Sequence, residues 1–180
     1  MKLNKEDILE IFENAISWIV VLAMYIYGGA KFLQFRGAAT TNKIVSEMSG
    51  FEIMWAFYGY SKPFAITLGI FEIIGGTLIL IKRTRVMGCI FTSTILINVI
   101  LQDFFYDIPA IRAAILYQFL LLIILWLNKE KIIETIKILT KKTCENSTKY
   151  KTFLKLGLAF ITFIFFRVLE YYITIKFKGF

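Results

Sequence analysis

Lys31, Glu72, Asn98, Gln102, Asp103 and Arg112 are the residues in this chain whose types could do chemistry, and each is set among strongly apolar neighbours. A lysine beside a carboxylate can hold or pass a proton, and side-chain amides can orient a polar ligand by donating and accepting together. Lys31 ends the run "YIYGGAK", Glu72 lies inside "ITLGIFEIIGG", and the other four fall in "NVILQDFFYDIPAIR", residues 98–112. An ionised side chain facing acyl chains costs at least about 2.5–3.5 kcal/mol on insertion scales, so these groups must face one another or water. At helical spacing Thr94, Asn98 and Gln102 share one face, and so do Gly69, Glu72 and Gly76. The arrangement expected is a polar pocket with a Lys31–Glu72 pair inside it and Asp103, Asp107 and Arg112 toward its rim. No residue is assigned as catalytic.

Plainer roles compete for the same residues. Lys31 could snorkel to the headgroups, and Asp103, Asp107 and Arg112 could cap helices around the turn before Pro109. Glu72 is harder to place that way, because a carboxylate deep in an apolar helix is either protonated or partnered. Gly28, Gly69, Gly75 and Gly76 are read as positions of close helix packing. Arg167 and Glu170, spaced i,i+3, are read as a structural pair on the last helix.

The elements that must position these residues follow from hydropathy. The chain is 180 residues long, 58% hydrophobic and carries a formal charge of +8. A spanning helix needs about 20 largely apolar residues, and five segments qualify: 15–35, 62–81, 86–105, 109–127 and 153–175. Pro63 and Pro109 fall at predicted helix starts, where a missing N–H costs nothing. The expected fold is an all-α integral membrane protein: an antiparallel four-helix transmembrane bundle over 1–135, with its N-terminal cytoplasmic segment, followed by a basic linker and a fifth transmembrane helix over 136–180. Segments 1–14, 82–85 and 128–152 hold 12 Lys and Arg, against 5 on the other side, which places the N-terminus in the cytoplasm and the C-terminus outside a bacterial-type cytoplasmic membrane. Trp18 and Trp126 then sit at the inner interface, and the acid-rich start reads as an uncleaved signal-anchor.

Between the spans, residues 40–49 predict a short helix over the outer mouth, stopped by Gly50, with the aromatic run "FEIMWAFYGY" beside it. "KEKIIETIKILTKK" puts Ile132, Ile133, Ile136 and Leu139 opposite lysines, an amphipathic surface helix or a solvated basic linker. The absence of histidine removes His-ligated metals and Ser-His or Cys-His catalysis, and Cys89 and Cys144 are too far apart for a C-x-x-C motif, so no metal site is expected. The basic residues lie between apolar runs and form no face suited to nucleic acid. The bilayer is the expected partner.

"YIYGGAKFLQF" followed by "LGIFEIIGGTLILIKRTRVMGCIF" resembles the DoxX family of small four-helix membrane proteins, and "FFYDIPAIRAAILYQFLLLIILWL" resembles the entry to their fourth helix, with Arg112 where many members have lysine. The likeness covers about residues 15–135 and leaves 145–180 without a counterpart. It implies a quinone-linked or redox-associated membrane subunit, with a non-covalent quinone as cofactor and Gly28, Lys31, Glu72, Gly75 and Gly76 as functional positions. Electrons would come from a membrane protein partner. The alternative is a non-enzymatic assembly or immunity-type protein that acts by helix–helix contact with another membrane protein or a second copy of itself.

Overall fold

The computed structural model of the chain describes residues 3–141 and 149–176. Cys144, and the Lys2, Lys142 and Lys178 of the charge count, lie outside the described residues. Among the described residues the protein is all-α, with helices α1 (Lys5–Ala30), α2 (Gly50–Tyr60), α3 (Lys62–Leu80), α4 (Arg85–Phe105), α5 (Ile111–Leu127), α6 (Lys129–Leu139) and α7 (Lys149–Lys176). α1, α3, α4 and Lys149–Thr174 are each long and apolar enough to cross a membrane, and α5 with α6 passes as a fifth, bent by 72°. The chain divides into two units, Met1–Ile138 and Leu139–Phe180.

Helix ends follow local chemistry more closely than hydropathy. α1 begins at Lys5, well before the expected residue 15, because Asn4 accepts from the Asp7 amide and Asp7 accepts from the Asn4 amide, a reciprocal capping box. It ends at Ala30 and not at 35, since residues 31–39 form turns that pass through Gly37 at φ 74°. The helix expected over 40–49 is absent apart from a single 3₁₀ turn, Val45–Glu47. Gly50, read as a stop, is instead the first residue of α2, since Ser49 and Glu52 form a second capping box just ahead of the aromatic run. Pro63 lies in the first turn of α3 as expected, whereas α5 starts two residues beyond Pro109.

In the first unit α1 packs on α3 and α5, and α4 packs on the same two helices. Val20, Met24, Ile79, Leu96, Leu121 and Ile124 are fully buried at their centre. Around that core the polarity pattern of a water-soluble helix is inverted. α3 buries Ala65, Gly69, Glu72, Gly75 and Gly76 while exposing Phe64, Ile70, Phe71 and Ile74. Small residues inside let backbones approach closely. The adjacent glycines serve different neighbours: a Cβ at Gly75 would collide with the Thr92 hydroxyl of α4, and one at Gly76 would lie 3.1 Å from Cβ of Met24 on α1.

α6 is present as an amphipathic helix, and the Lys129 ammonium stands 5.0 Å from the Trp126 ring centroid at its junction with α5. In the second unit α7 is one helix with its described side chains exposed.

Candidate functional site

The site is built around a glycine contact. A Cβ at Gly28 would lie 2.5 Å from the carbonyl oxygen of Gly69, and a Cβ at Gly69 would lie 2.5 Å from that of Gly28, so α1 and α3 meet backbone to backbone. Lys31, one turn beyond Gly28, caps α1, and its Cβ stands 3.1 Å from where a Gly69 side chain would begin. The missing side chain leaves a lane for the lysine stem. Its ammonium donates to both oxygens of Glu72, at 2.8 Å to Oε1 and 2.9 Å to Oε2. Glu72 is 1% exposed and Lys31 13%.

Next to the pair α4 contributes a chain of hydrogen bonds. The Tyr58 hydroxyl donates to Gln102 Oε1 at 2.7 Å, and Gln102 Nε2 donates to Asn98 Oδ1 at 2.8 Å, the two amides being one helical turn apart. Burial pushes the Tyr58 hydroxyl above its ordinary pKa, so it keeps its proton and remains a donor. Asp103 is 3% exposed, and its Oδ2 is buried with no hydrogen-bond partner among the described residues. These groups line one cavity of about 580 Å³, together with Thr94 and an apolar wall that includes Tyr27, Phe35, Trp55 and Leu68.

α2 and the 31–39 turns supply the aromatic part of that wall. Glycines seat α2 at both ends: a Cβ at Gly50 would lie 2.9 Å from the Tyr106 backbone, and one at Gly59 would lie 2.9 Å from the carbonyl oxygen of Phe35. Phe35 stacks on Tyr58 with ring centroids 4.9 Å apart, and Trp55 meets the same Phe35 edge-on at 5.2 Å. Sequence reasoning set Trp55 and Tyr58 in an aromatic run beside the outer mouth, left Phe35 at the end of the first span, and missed their part in the cavity. The Ser49-x-x-Glu52 capping box was the signal that could have seated them on a helix.

Lys31, Glu72, Asn98, Gln102 and Asp103 are thus brought together, and Gly28 and Gly69 lie at the contact that positions them. Arg112 is not part of the group. It is exposed in the first turn of α5, where Ala114, about 200° further round the helix, is the buried position. Asp107 is also exposed, and the adjacent Ile108 lines the cavity in its place. Arg167 donates to Glu170 along one face of α7.

A second polar cluster was not foreseen. Arg85, counted from sequence as a loop charge, is 3% exposed. Its three nitrogens donate to the Ile79 carbonyl, Glu13 Oε1 and Asn14 Oδ1 at 3.2, 2.9 and 2.9 Å. Asn128, at the α5–α6 bend, donates to the same Glu13 oxygen at 3.1 Å. The signal lay in Glu13 and Asn14, polar residues that continue α1 ahead of its apolar run.

No family model and no solved structure matches the chain. It is similar to the uncharacterized protein YwoB of Bacillus subtilis (strain 168), 32% identical over 109 residues that make up 59% of this chain and 70% of that protein. At that identity and coverage, the chain belongs to the family of YwoB.

Proposed function

We propose that this is a multi-pass protein of a bacterial-type cytoplasmic membrane, of DoxX type, whose cavity holds the head of a quinone-class ligand for a membrane redox partner. In this reading α1, α3, α4 and α5 form an antiparallel transmembrane bundle with the N-terminus in the cytoplasm. α7 is a fifth span, and the cavity opens to the outside. Large apolar side chains on the outward face of α3, the excess of basic residues on one side and the interfacial Trp18 and Trp126 support insertion and orientation.

One observation carries the ligand reading: a cavity of about 580 Å³ in which an ion pair, an unpartnered carboxylate and an amide–phenol chain converge inside an aromatic wall. Ligand sites combine that size and apolar lining with a few convergent polar groups. A planar ring can lie against the aromatic wall that Phe35, Trp55 and Tyr58 form, and an isoprenoid tail leaves along apolar helix surfaces. Lys31 and Glu72 can relay the protons that accompany quinol chemistry. The electrons come from a partner.

The test is direct. The chain has three tryptophans, so replacing Trp18 and Trp126 by Phe leaves Trp55 as the sole reporter in the cavity wall. A short-chain ubiquinone should quench its fluorescence saturably, and solvent extraction of the purified protein should release a quinone. Absence of both sinks the reading.

α7 favours a second reading. Arg167 and Glu170 interrupt the apolar stretch 156–175 of α7 and are more than half exposed even while paired, which suits a polar contact with another membrane protein or a second copy. A stoichiometric non-redox protein that copurifies, with no quinone, would select this alternative.

A further inference from the structure

We infer that the cavity selects a ligand whose polar end donates a hydrogen bond, so that within the quinone class it takes the reduced, dihydroxy form in preference to the oxidised one. The inference rests on the cavity being a quinone-class site, and it turns on Asp103.

Protein groups already satisfy much of the polar lining. Glu72 accepts twice from Lys31, Gln102 Oε1 accepts from Tyr58, and Asn98 Oδ1 accepts from Gln102. The donors are not exhausted, since an ammonium has three hydrogens and each amide two, so Lys31, Gln102 and Asn98 all have some to spare. Asp103 Oδ2 is the buried acceptor in this lining without a partner among the described residues. A buried acceptor left unmade costs its full desolvation, whatever else in the site is well paired.

The two redox forms meet this lining differently. Both oxygens of a quinone are carbonyls, which take hydrogens from Lys31 or the amides and give Asp103 nothing. Each oxygen of a quinol carries a hydroxyl, which can donate to the Asp103 carboxylate lining the cavity and still accept from the spare donors. The site therefore discriminates by the hydrogens the ligand brings, as sites built to bond a hydroxyl reject analogues that lack it. Ring shape, tail and aromatic contacts are shared by the two forms and cancel from the comparison.

The experiment uses the full chain in nanodiscs, held anaerobically, with a short-chain ubiquinol and the matching ubiquinone as probes. The affinity of each comes from the rise in unfolding temperature with ligand concentration. The quinol should bind about ten- to hundred-fold more tightly, the ratio expected when one buried polar group goes from unmade to made. In Asp103→Asn, whose amide supplies a donor to a quinone carbonyl, the preference should fall to within about three-fold. Equal affinities in the unaltered protein, tighter binding of the quinone, or a preference that survives Asp103→Asn would each overturn the inference while leaving a quinone-class site standing. Binding of neither form would instead remove the site itself, and the inference with it. The unaltered protein is decisive by itself if the variant does not fold.

Discussion

Arg85 and Lys31 are both cations drawn into the first unit to meet a carboxylate, yet their surroundings differ in kind. Around Arg85 every guanidinium nitrogen has a partner, and the acceptors come from α1 and the end of α3, with Asn128 tying the α5–α6 bend to the same Glu13 oxygen. Around Lys31 the pair itself is well made, but it borders a cavity and a buried carboxylate oxygen that nothing in the described protein satisfies. A saturated ion pair can only hold helices together. An ion pair beside open volume and an unpartnered carboxylate is the arrangement on which the proposed function rests. Burial of charge alone therefore does not distinguish the two clusters, and the accounting of hydrogen bonds does.

The largest effect is expected at the saturated cluster. Arg85→Met leaves Glu13 with the Asn128 amide but no countercharge and removes acceptor–donor matches shared by several helices, and breaking a largely buried pair from one side costs about 3–5 kcal/mol. Unfolding by denaturant in detergent micelles should show a loss of that size. A loss below about 1 kcal/mol, which is what exposed pairs give, would erase the distinction between the clusters.

At the cavity the effect should be smaller and strongly coupled. Lys31→Met should cost about 2–3 kcal/mol, because the cavity gives the stranded Glu72 a route to proton uptake. Glu72→Gln leaves the ammonium an acceptor but no countercharge. The double variant Lys31→Met/Glu72→Gln should be more stable than the sum of the two predicts, by about 0.5–3 kcal/mol, when measured as a double-mutant cycle. Simple additivity would mean that the 2.8 Å pair is not energetically real.

How much of this could be read from the residues alone depends on how many of them must agree. Long apolar runs located α1, α3, α4, α5 and α7, though not α2, and depth along those runs brought Lys31 and Glu72 together, since an unpaired acid there has no good alternative. Asp103 and Asp107 looked alike from sequence, because a difference of four residues beside a turn decides burial only once the turn is known. Arg85 was misread for a related reason: a basic residue next to a short turn counts as a topology marker until a polar continuation of another helix is found beneath it. Gly50 failed on a local conflict, where glycine as a stop signal competed with the Ser49–Glu52 capping box and lost.

The turns that follow α3 and α4 extend the comparison. Arg85 pins the first, while the second carries Asp107 at φ 54° with the Ile108 amide donating to the Asp103 carbonyl at 2.8 Å. That bond joins the second residue past the α4 cap to the last turn of the helix, a Schellman ending with aspartate where glycine is usual. Because this ending sets both Asp103 and Ile108 against the cavity, strain here should be felt there. Asp107→Val should cost about 1–2 kcal/mol, the penalty for a β-branched residue in the left-handed region, and Asp107→Gly should be neutral or stabilising by up to about 1 kcal/mol. Matched unfolding curves for the three proteins test the order, and Val as stable as Gly would refute it.

The smallest effect belongs to an exposed ion pair. Lys43 donates to Glu52 at the start of α2, with 53% and 40% of their side chains exposed. The Lys43 hydrogen bond first, then those from the Ser49 backbone and hydroxyl, lower the Glu52 carboxyl from its ordinary 4.5 to about 2. The sign follows from that direction: a group with a depressed folded pKa contributes fully above about pH 4.5, and the contribution disappears as pH falls toward 2. An NMR titration of the Glu52 carboxyl should therefore find its midpoint near 2 in the unaltered protein. In Lys43→Met the midpoint should move back toward the usual carboxylate range, but only partway, because the Ser49 cap is untouched. Global stability should hardly change, since water screens the pair and ordering two long side chains offsets much of the attraction. A large loss of stability in Lys43→Met would show that exposed pairs in this protein behave like the buried ones, and the contrast drawn between Arg85 and Lys31 would then have to rest on something other than how their partners are satisfied.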